Sequence, residues 1–149
     1  MELTFRRVTR TDLDSLLPLV QAYYEFDHLS FDECVVRKAL ENFIDDPTFG
    51  RIWLISAENE LVGYLILTLG YSIEYGGRDA FIDEVYLRAE YRGRGIGSQV
   101  LSFAEEECRT LGVRALHLEV ERENTHAQRL YRRFGFIDHD RYLMTKHVS

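Results

Sequence analysis

The segment "AFIDEVYLRAEYRGRGIGSQVLSFAEEECRTLGVRALHLEV", residues 80 to 120, constrains the fold more than any other. "AFIDEVYL" is an apolar run rich in β-formers. Three glycines follow at alternate positions, Gly93, Gly95 and Gly97. Behind them Ile96, Val100, Phe103, Ala104, Cys108 and Leu111 recur at helical spacing, and Gly112 reads as the stop. "RALHLEV" then reads as a strand. Strand, helix and strand in this order close as a right-handed crossover, so the two strands run parallel in one sheet. Glycine costs backbone entropy, so three within five residues imply a loop whose backbone shape matters.

The flanking segments supply the remaining elements. "LTFRRV" (3–8) alternates as a first strand. "TDLDSLLPLVQAYYEFD" has a helical stripe of Leu13, Leu16, Leu17, Val20, Tyr23 and Tyr24, with Thr11 as a cap. Pro18 inside it predicts a kink or a late start. "SFDE" (30–33) has capping-box spacing, with Ser30 and Glu33 in the two roles. The helix after it carries Val35, Val36, Ala39, Leu40, Phe43 and Ile44 on one face. "RIWLIS" and "LVGYLILTL" are strands joined by "ENE" (58–60), and "EYGGRD" (74–79) leads into "AFIDEVYL". Ala127, Leu130, Tyr131 and Phe134 mark a last helix, and "FGFI" and "RYLMTK" are expected to close the chain as strands. The order is β-α-α-β-β-β-α-β-α-β-β. This predicts an α/β fold, a mixed and mostly antiparallel sheet with helices on both faces, in a single domain over residues 1–149.

Composition narrows the function. The chain has 149 residues, 46% hydrophobic and 29% charged, with 2 prolines, so it can bury a real core. A net charge of -7 argues against nucleic acid held through bulk charge, and it favours a cationic partner. No apolar run has membrane-spanning length and "MELTFRRVTR" has no signal-peptide core, which points to a cytoplasmic protein with no membrane partner. The 2 cysteines, Cys34 and Cys108, form no CxxC, and read as reduced, packed thiols. The 5 histidines show no HxxxH or HExxH spacing, so no metal site is expected.

Three readings compete for the glycine loop. A dinucleotide fingerprint needs GxGxxG after the first strand, and here Ser98 stands where the third glycine would fall. The GxxxxGK[ST] of a P-loop is absent. An anion cradle remains: glycines let successive N–H groups turn inward, and the helix behind adds its positive end. A pyrophosphate is the natural guest, although such turns also occur without a ligand. The surroundings add to this. Arg92-Gly93-Arg94-Gly95-Ile96-Gly97 matches Q/R-x-x-G-x-G/A, the preceding strand is "FIDEVYLRAEY", and "LEVERENTHAQRLYRRFGF" (118–136) has Asn124, Ala127, Tyr131 and a closing "FGF". Over about residues 80–136 the chain resembles the GNAT superfamily of N-acetyltransferases.

That resemblance implies acetyl-CoA as cosubstrate. It implies that residues 92–97 (Arg92, Gly93, Arg94, Gly95, Ile96 and Gly97) grip the pyrophosphate, that Val85, Tyr86 and Leu87 meet the pantetheine arm on an open strand edge, and that Asn124 faces the cofactor. It also implies splayed fourth and fifth strands and, by analogy, a homodimer. Acetylating an amine requires removing its proton, stabilising an oxyanion and protonating a thiolate. Asp83 and Glu84, adjacent acids within an apolar strand, are candidates for the base or for holding the amine. Alternation would send their side chains to opposite faces, Asp83 with Val85 and Leu87. Similar GNATs acting on polyamines carry an acid at the Asp83 position, which ranks it above Glu84. One of the pair could instead cap a backbone group or meet Arg78 or Arg114. The resemblance makes Tyr131 the acid, while its place on an apolar stripe also fits a core role. For the acceptor, Tyr23, Tyr24, Asp27 and Tyr75 are the candidates, against a reading as core tyrosines and a solvated loop. The expected activity is direct acetyl transfer to a primary amine, a small cationic one such as a polyamine or aminoglycoside-like amine. The alternatives are a protein lysine or N-terminal acetyltransferase, a non-catalytic acetyl-CoA-binding regulator, and an ATP-binding protein.

Overall fold

The computed structural model describes residues 1–149 in two compact units, Met1–Glu119 and Val120–Ser149. The first contains β1 (Leu3–Arg7), α1 (Leu13–Phe26), α2 (Glu33–Asp45), β2 (Gly50–Ala57), β3 (Glu60–Ser72), β4 (Gly77–Leu87), α3 (Ile96–Thr110) and β5 (Ala115–His117). The strands form one sheet in the order β1-β2-β3-β4-β5. The first three pairings are antiparallel, and β4 and β5 are parallel. This is the mixed sheet, with its crossover, that residues 80–120 predict.

Cross-strand register separates the two faces. Ile52 lies opposite Ile66 and Leu54 opposite Tyr64. These four join Leu13, Leu16, Leu17, Val20 and Leu40 in one core, so α1 and α2 cover that face. On the other face Phe103 of α3 stacks on Phe5 at 3.9 Å and meets Trp53 edge-on at 5.1 Å. Large side chains with both faces covered explain why β2 and β3 read as continuous apolar runs.

The local signals are mostly in place, with changes at the ends. Glu58 and Asn59 both take positive φ, at 52° and 67°, and close the two-residue β2–β3 turn. α1 runs through Pro18 from a start at Leu13, and a 3₁₀ turn over Arg10–Asp12 precedes it. The cap of α2 is Asp32, whose carboxylate accepts from the N–H groups of Cys34 at 3.0 Å and Val35 at 3.3 Å. The cap is therefore not Ser30, because Asp32 is the residue directly before the first turn. After α3, Gly112 (φ 73°) turns the chain so that Val113 N–H donates to Cys108 at 2.9 Å, a Schellman closure.

β5 is shorter than expected. It pairs only Ala115–His117 with Asp79–Phe81, so β4 has no neighbour on that edge from Ile82 to Leu87.

The second unit contains α4 (Thr125–Arg133). Gly135 (φ 95°) ends it, with Phe136 N–H donating to Tyr131 at 3.1 Å. The two closing strands expected at "FGFI" and "RYLMTK" are absent, and residues 134–149 form no strand. A strand is stabilised by its ladder, and alternation of β-formers without paired N–H and C=O groups does not make one. Ile137, Tyr142, Leu143 and Met144 are all exposed.

Candidate active site

A β-bulge in β4 determines the chemistry of this region. Ile66 lies opposite Glu84 and Leu67 opposite Ile82, so Asp83 is the extra residue with no partner across β3. A bulge breaks the two-residue alternation and re-aims side chains. Asp83 and Glu84 therefore do not divide between the faces as alternation predicts. Both line one cavity of about 520 Å³ beneath α2, within the size range of small-molecule sites.

The two carboxylates are held differently. Glu84 accepts a hydrogen bond from the Tyr24 hydroxyl at 2.8 Å on one oxygen and from the Tyr64 hydroxyl at 2.8 Å on the other. Burial raises the Glu84 carboxyl above its ordinary value, the two phenols oppose that rise, and the nearby Asp83 charge adds to it. Burial alone raises Asp83. No side-chain hydrogen bond or ion pair engages Asp83, so its oxygens are left for something that enters the cavity. The expected pairing with Arg78 or Arg114 does not form: Arg78 donates to the Leu111 carbonyl and Arg114 to that of Tyr75. Burial, followed by the Glu84 charge, raises both phenols, so Tyr24 and Tyr64 remain protonated donors.

An aromatic cluster fixes this arrangement. Tyr23 contacts the rings of Tyr24, Tyr64 and Tyr86 at 5.7, 6.4 and 6.2 Å, and Tyr24 meets Phe31 at 5.8 Å. Of the residues named for the acceptor, Tyr24 lines the cavity. Tyr23 packs behind it, and Asp27 is exposed just past the end of α1. Tyr75 contacts His117, which pairs with Asp79 at 3.1 Å. Sequence reasoning missed Tyr64, which is fully buried. The available signal was a phenol inside the apolar run "LVGYLILTL", since a buried tyrosine hydroxyl needs a partner.

The glycine loop follows β4 and a 3₁₀ turn over Ala89–Tyr91. Gly93 and Gly95 have φ of 75° and 74°, and a Cβ at either would meet no atom within 4 Å. Their glycines thus serve backbone shape and an open face, not packing. Gly95 is the N-cap of α3, with no side-chain cap and no acid in the first turn. The N–H groups of that turn are left for an external acceptor, and a phosphate suits them. Ile96 is buried and anchors the turn. Arg92 donates to the Leu87 carbonyl at 2.9 Å and its guanidinium lies over Phe26 at 4.3 Å and Tyr86 at 5.4 Å. Arg94 lies over Tyr91 at 5.5 Å. Val85, Tyr86 and Leu87 fall on the β4 segment whose far edge is unpaired. The loop and that edge suit the two ends of a pyrophosphate-bearing, amide-rich cofactor.

Within the second unit, Asn124 caps α4 through its side-chain oxygen, which accepts from Ala127 N–H at 3.2 Å. Tyr131 contacts Phe136 at 5.9 Å, and burial raises its phenol.

Comparison with known proteins identifies the family and the fold. Residues 14–136 match the model of the acetyltransferase (GNAT) family. The chain is 29% identical over 142 residues to the thialysine N-epsilon-acetyltransferase of Bos taurus, covering 89% of this chain and 83% of that one. It is 29% identical over 133 residues to the aminoalkylphosphonate N-acetyltransferase of Salmonella typhimurium, covering 88% and 82%. Among solved structures, an integron cassette protein from the mobile metagenome of Cole Harbour Salt Marsh superposes with a TM-score of 0.85 at 33% identity, covering 97% of this chain and 90% of that one. The chain belongs to the acetyltransferase (GNAT) family and is an acetyl-CoA-dependent acyltransferase.

Proposed function

We propose that this chain transfers acetyl from acetyl-CoA to the primary amine of a small molecule that arrives as a cation, directly within a ternary complex. The observation that carries this is the bulge, which brings Asp83 and Glu84 to one cavity and leaves only Asp83 without a partner. Glu84, locked between two phenols, supplies a fixed negative field that draws an ammonium group in. Asp83 takes the proton from that ammonium, after which the neutral amine can attack. A carboxyl raised by burial is a better base than an ordinary one, because its pKa moves toward that of the amine.

Acetyl-CoA, when bound, supplies the activated thioester. The loop from Arg92 to Gly97 would hold its pyrophosphate and the β4 edge at Val85–Leu87 its pantetheine arm. We assign Tyr131 the proton needed by the departing thiolate, on the match of "LYRRFGF" and on a phenol that burial keeps protonated. Asn124 is assigned a cofactor contact on the same motif, beside its capping role. A covalent acetyl-cysteine route is disfavoured. The Cys108 thiol is buried and pushed up to about 11, so it supplies little thiolate. Cys34 is exposed at the start of α2 and does not line the cavity. The relatives' names, with thialysine and aminoalkylphosphonate as acceptors, favour a small amine over a protein.

Initial rates of thiol release test the reading, with acetyl-CoA and a panel of primary amines varied together. Intersecting double-reciprocal lines are expected of a ternary complex. Parallel lines would mean a covalent intermediate, and no release with any amine would overturn the transferase assignment for this chain's acceptor site.

A further inference from the structure

The cavity that holds Asp83 and Glu84 is unlike a site for a polyvalent or zwitterionic amine. Its walls include Val20, Val36, Leu40, Phe43, Ile52 and Ile66. Lysine, arginine and histidine are absent from the lining, so nothing there would neutralise an anionic group at the far end of an acceptor. The one further acid, Asp32, accepts from two N–H groups at the start of α2, both through Oδ1. Asp32 is also exposed at the helix start, so solvent screens its charge, whereas burial acts on Asp83 and Glu84. Ser30 and Thr68 are neutral.

We propose, resting on the acetyltransferase reading above, that the acceptor is a primary monoamine with an apolar alkyl or aryl-alkyl tail. The ammonium goes to Asp83 beside the field of Glu84, and the tail lies along the α2 wall. This replaces the polyamine-like acceptor that overall acidity suggests. The surplus of acids belongs mainly to solvated faces, Asp32 among them, while the buried part of the cavity sets Asp83 and Glu84 against an apolar wall. Binding should then grow with tail length, since a buried methylene contributes about 0.8 kcal/mol, or about fourfold in affinity.

Three acceptors with the same six-carbon chain separate the possibilities: hexylamine, 1,6-diaminohexane and 6-aminohexanoate. Each is titrated calorimetrically into the full chain, with and without saturating CoA, alongside butylamine. Thiol release from acetyl-CoA is followed in parallel. Hexylamine is expected to bind at least ~10-fold tighter than either bifunctional analogue and ~16-fold tighter than butylamine, which has two methylenes fewer. Asp83→Asn should weaken all four, and Val35→Arg, at an exposed position on the cavity lining, should improve 6-aminohexanoate relative to hexylamine. Equal or tighter binding of the diamine or the amino acid by the unaltered chain would overturn the proposal. So would failure of hexylamine to bind while another class of amine is acetylated. Selective hexylamine binding without thiol release would support the pocket's specificity and remove the transferase reading instead.

Discussion

The loop from Arg92 to Gly97 is contiguous in the chain, whereas the groups around Glu84 come from positions 24, 64, 83 and 84. The loop works through backbone: two residues at φ near +75°, an uncapped helix start, and no side chain filling the face in front. The cavity works through side chains: two phenols on one carboxylate and a second carboxylate freed by a one-residue bulge. A backbone site needs only permissive residues at fixed spacing. A side-chain site needs a sheet register and two helices to converge before it exists. The first should therefore fail through shape or charge at single glycines, and the second through protonation and hydrogen bonding.

Asp83→Asn should separate catalysis from folding most sharply. Loss of a general base lowers kcat by about 10³-fold, and the acid limb of the kcat/KM profile should vanish with it. Stability should move the other way. A carboxyl raised by burial favours folding below its unfolded pKa, and that contribution is lost as pH rises through the folded value. Above its folded pKa the ionised Asp83 thus costs stability that asparagine does not. Tm of the variant should match the parent at low pH and exceed it increasingly as pH rises, by calorimetric scanning. A drop in Tm at every pH would mean that Asp83 is structural.

Gly95→Asp should act on the loop alone. It places a carboxylate at the face where a phosphate would bind, a like-charge juxtaposition worth several kcal/mol, and adds about 1 kcal/mol of left-handed backbone strain. Acetyl-CoA affinity should fall at least ~100-fold, read by titration calorimetry. Amine binding to the cavity should be unchanged. Parallel loss of both would show that the two regions are not independent.

Tyr131→Phe should lower kcat by about 100-fold, the low end for a lost acid. KM for acetyl-CoA should not change, and the deficit should shrink for a thioester with a more acidic leaving thiol. A uniform deficit across thioesters would leave Tyr131 a packing residue.

The smallest effect should come from Tyr64→Phe. Removing one donor from a buried carboxylate costs about 1.5 kcal/mol, measured by urea unfolding at pH 7. The loss should shrink at low pH, where Glu84 is protonated with or without Tyr64. It should also raise the Glu84 carboxyl further, since Tyr64 holds it down.

Particular residues show how much the sequence reveals. The strand–glycine–helix–strand order of residues 80–120, the "ENE" turn and the Gly112 stop depend on neighbours within a few positions. Each is legible because backbone preference is local. The same locality makes the tail look like strands in the sequence. "RYLMTK" has strand-like residues, but a ladder is a tertiary object, and the tail forms none. Nothing local marks a bulge at Asp83, so alternation sent the two acids apart.

Family, fold class and the backbone shape of the glycine loop were thus determined by sequence alone, through spacing and permissive glycines. Only the tertiary structure decided which acid is free. Asp83 is the unpaired residue of the bulge, and Glu84 is occupied by phenols from α1 and β3, 60 and 20 positions away in the chain. The apolar character of the cavity was decided there too. Val20, Leu40 and Ile66 form a wall because α1, α2 and the sheet bury one common face, which no single segment specifies.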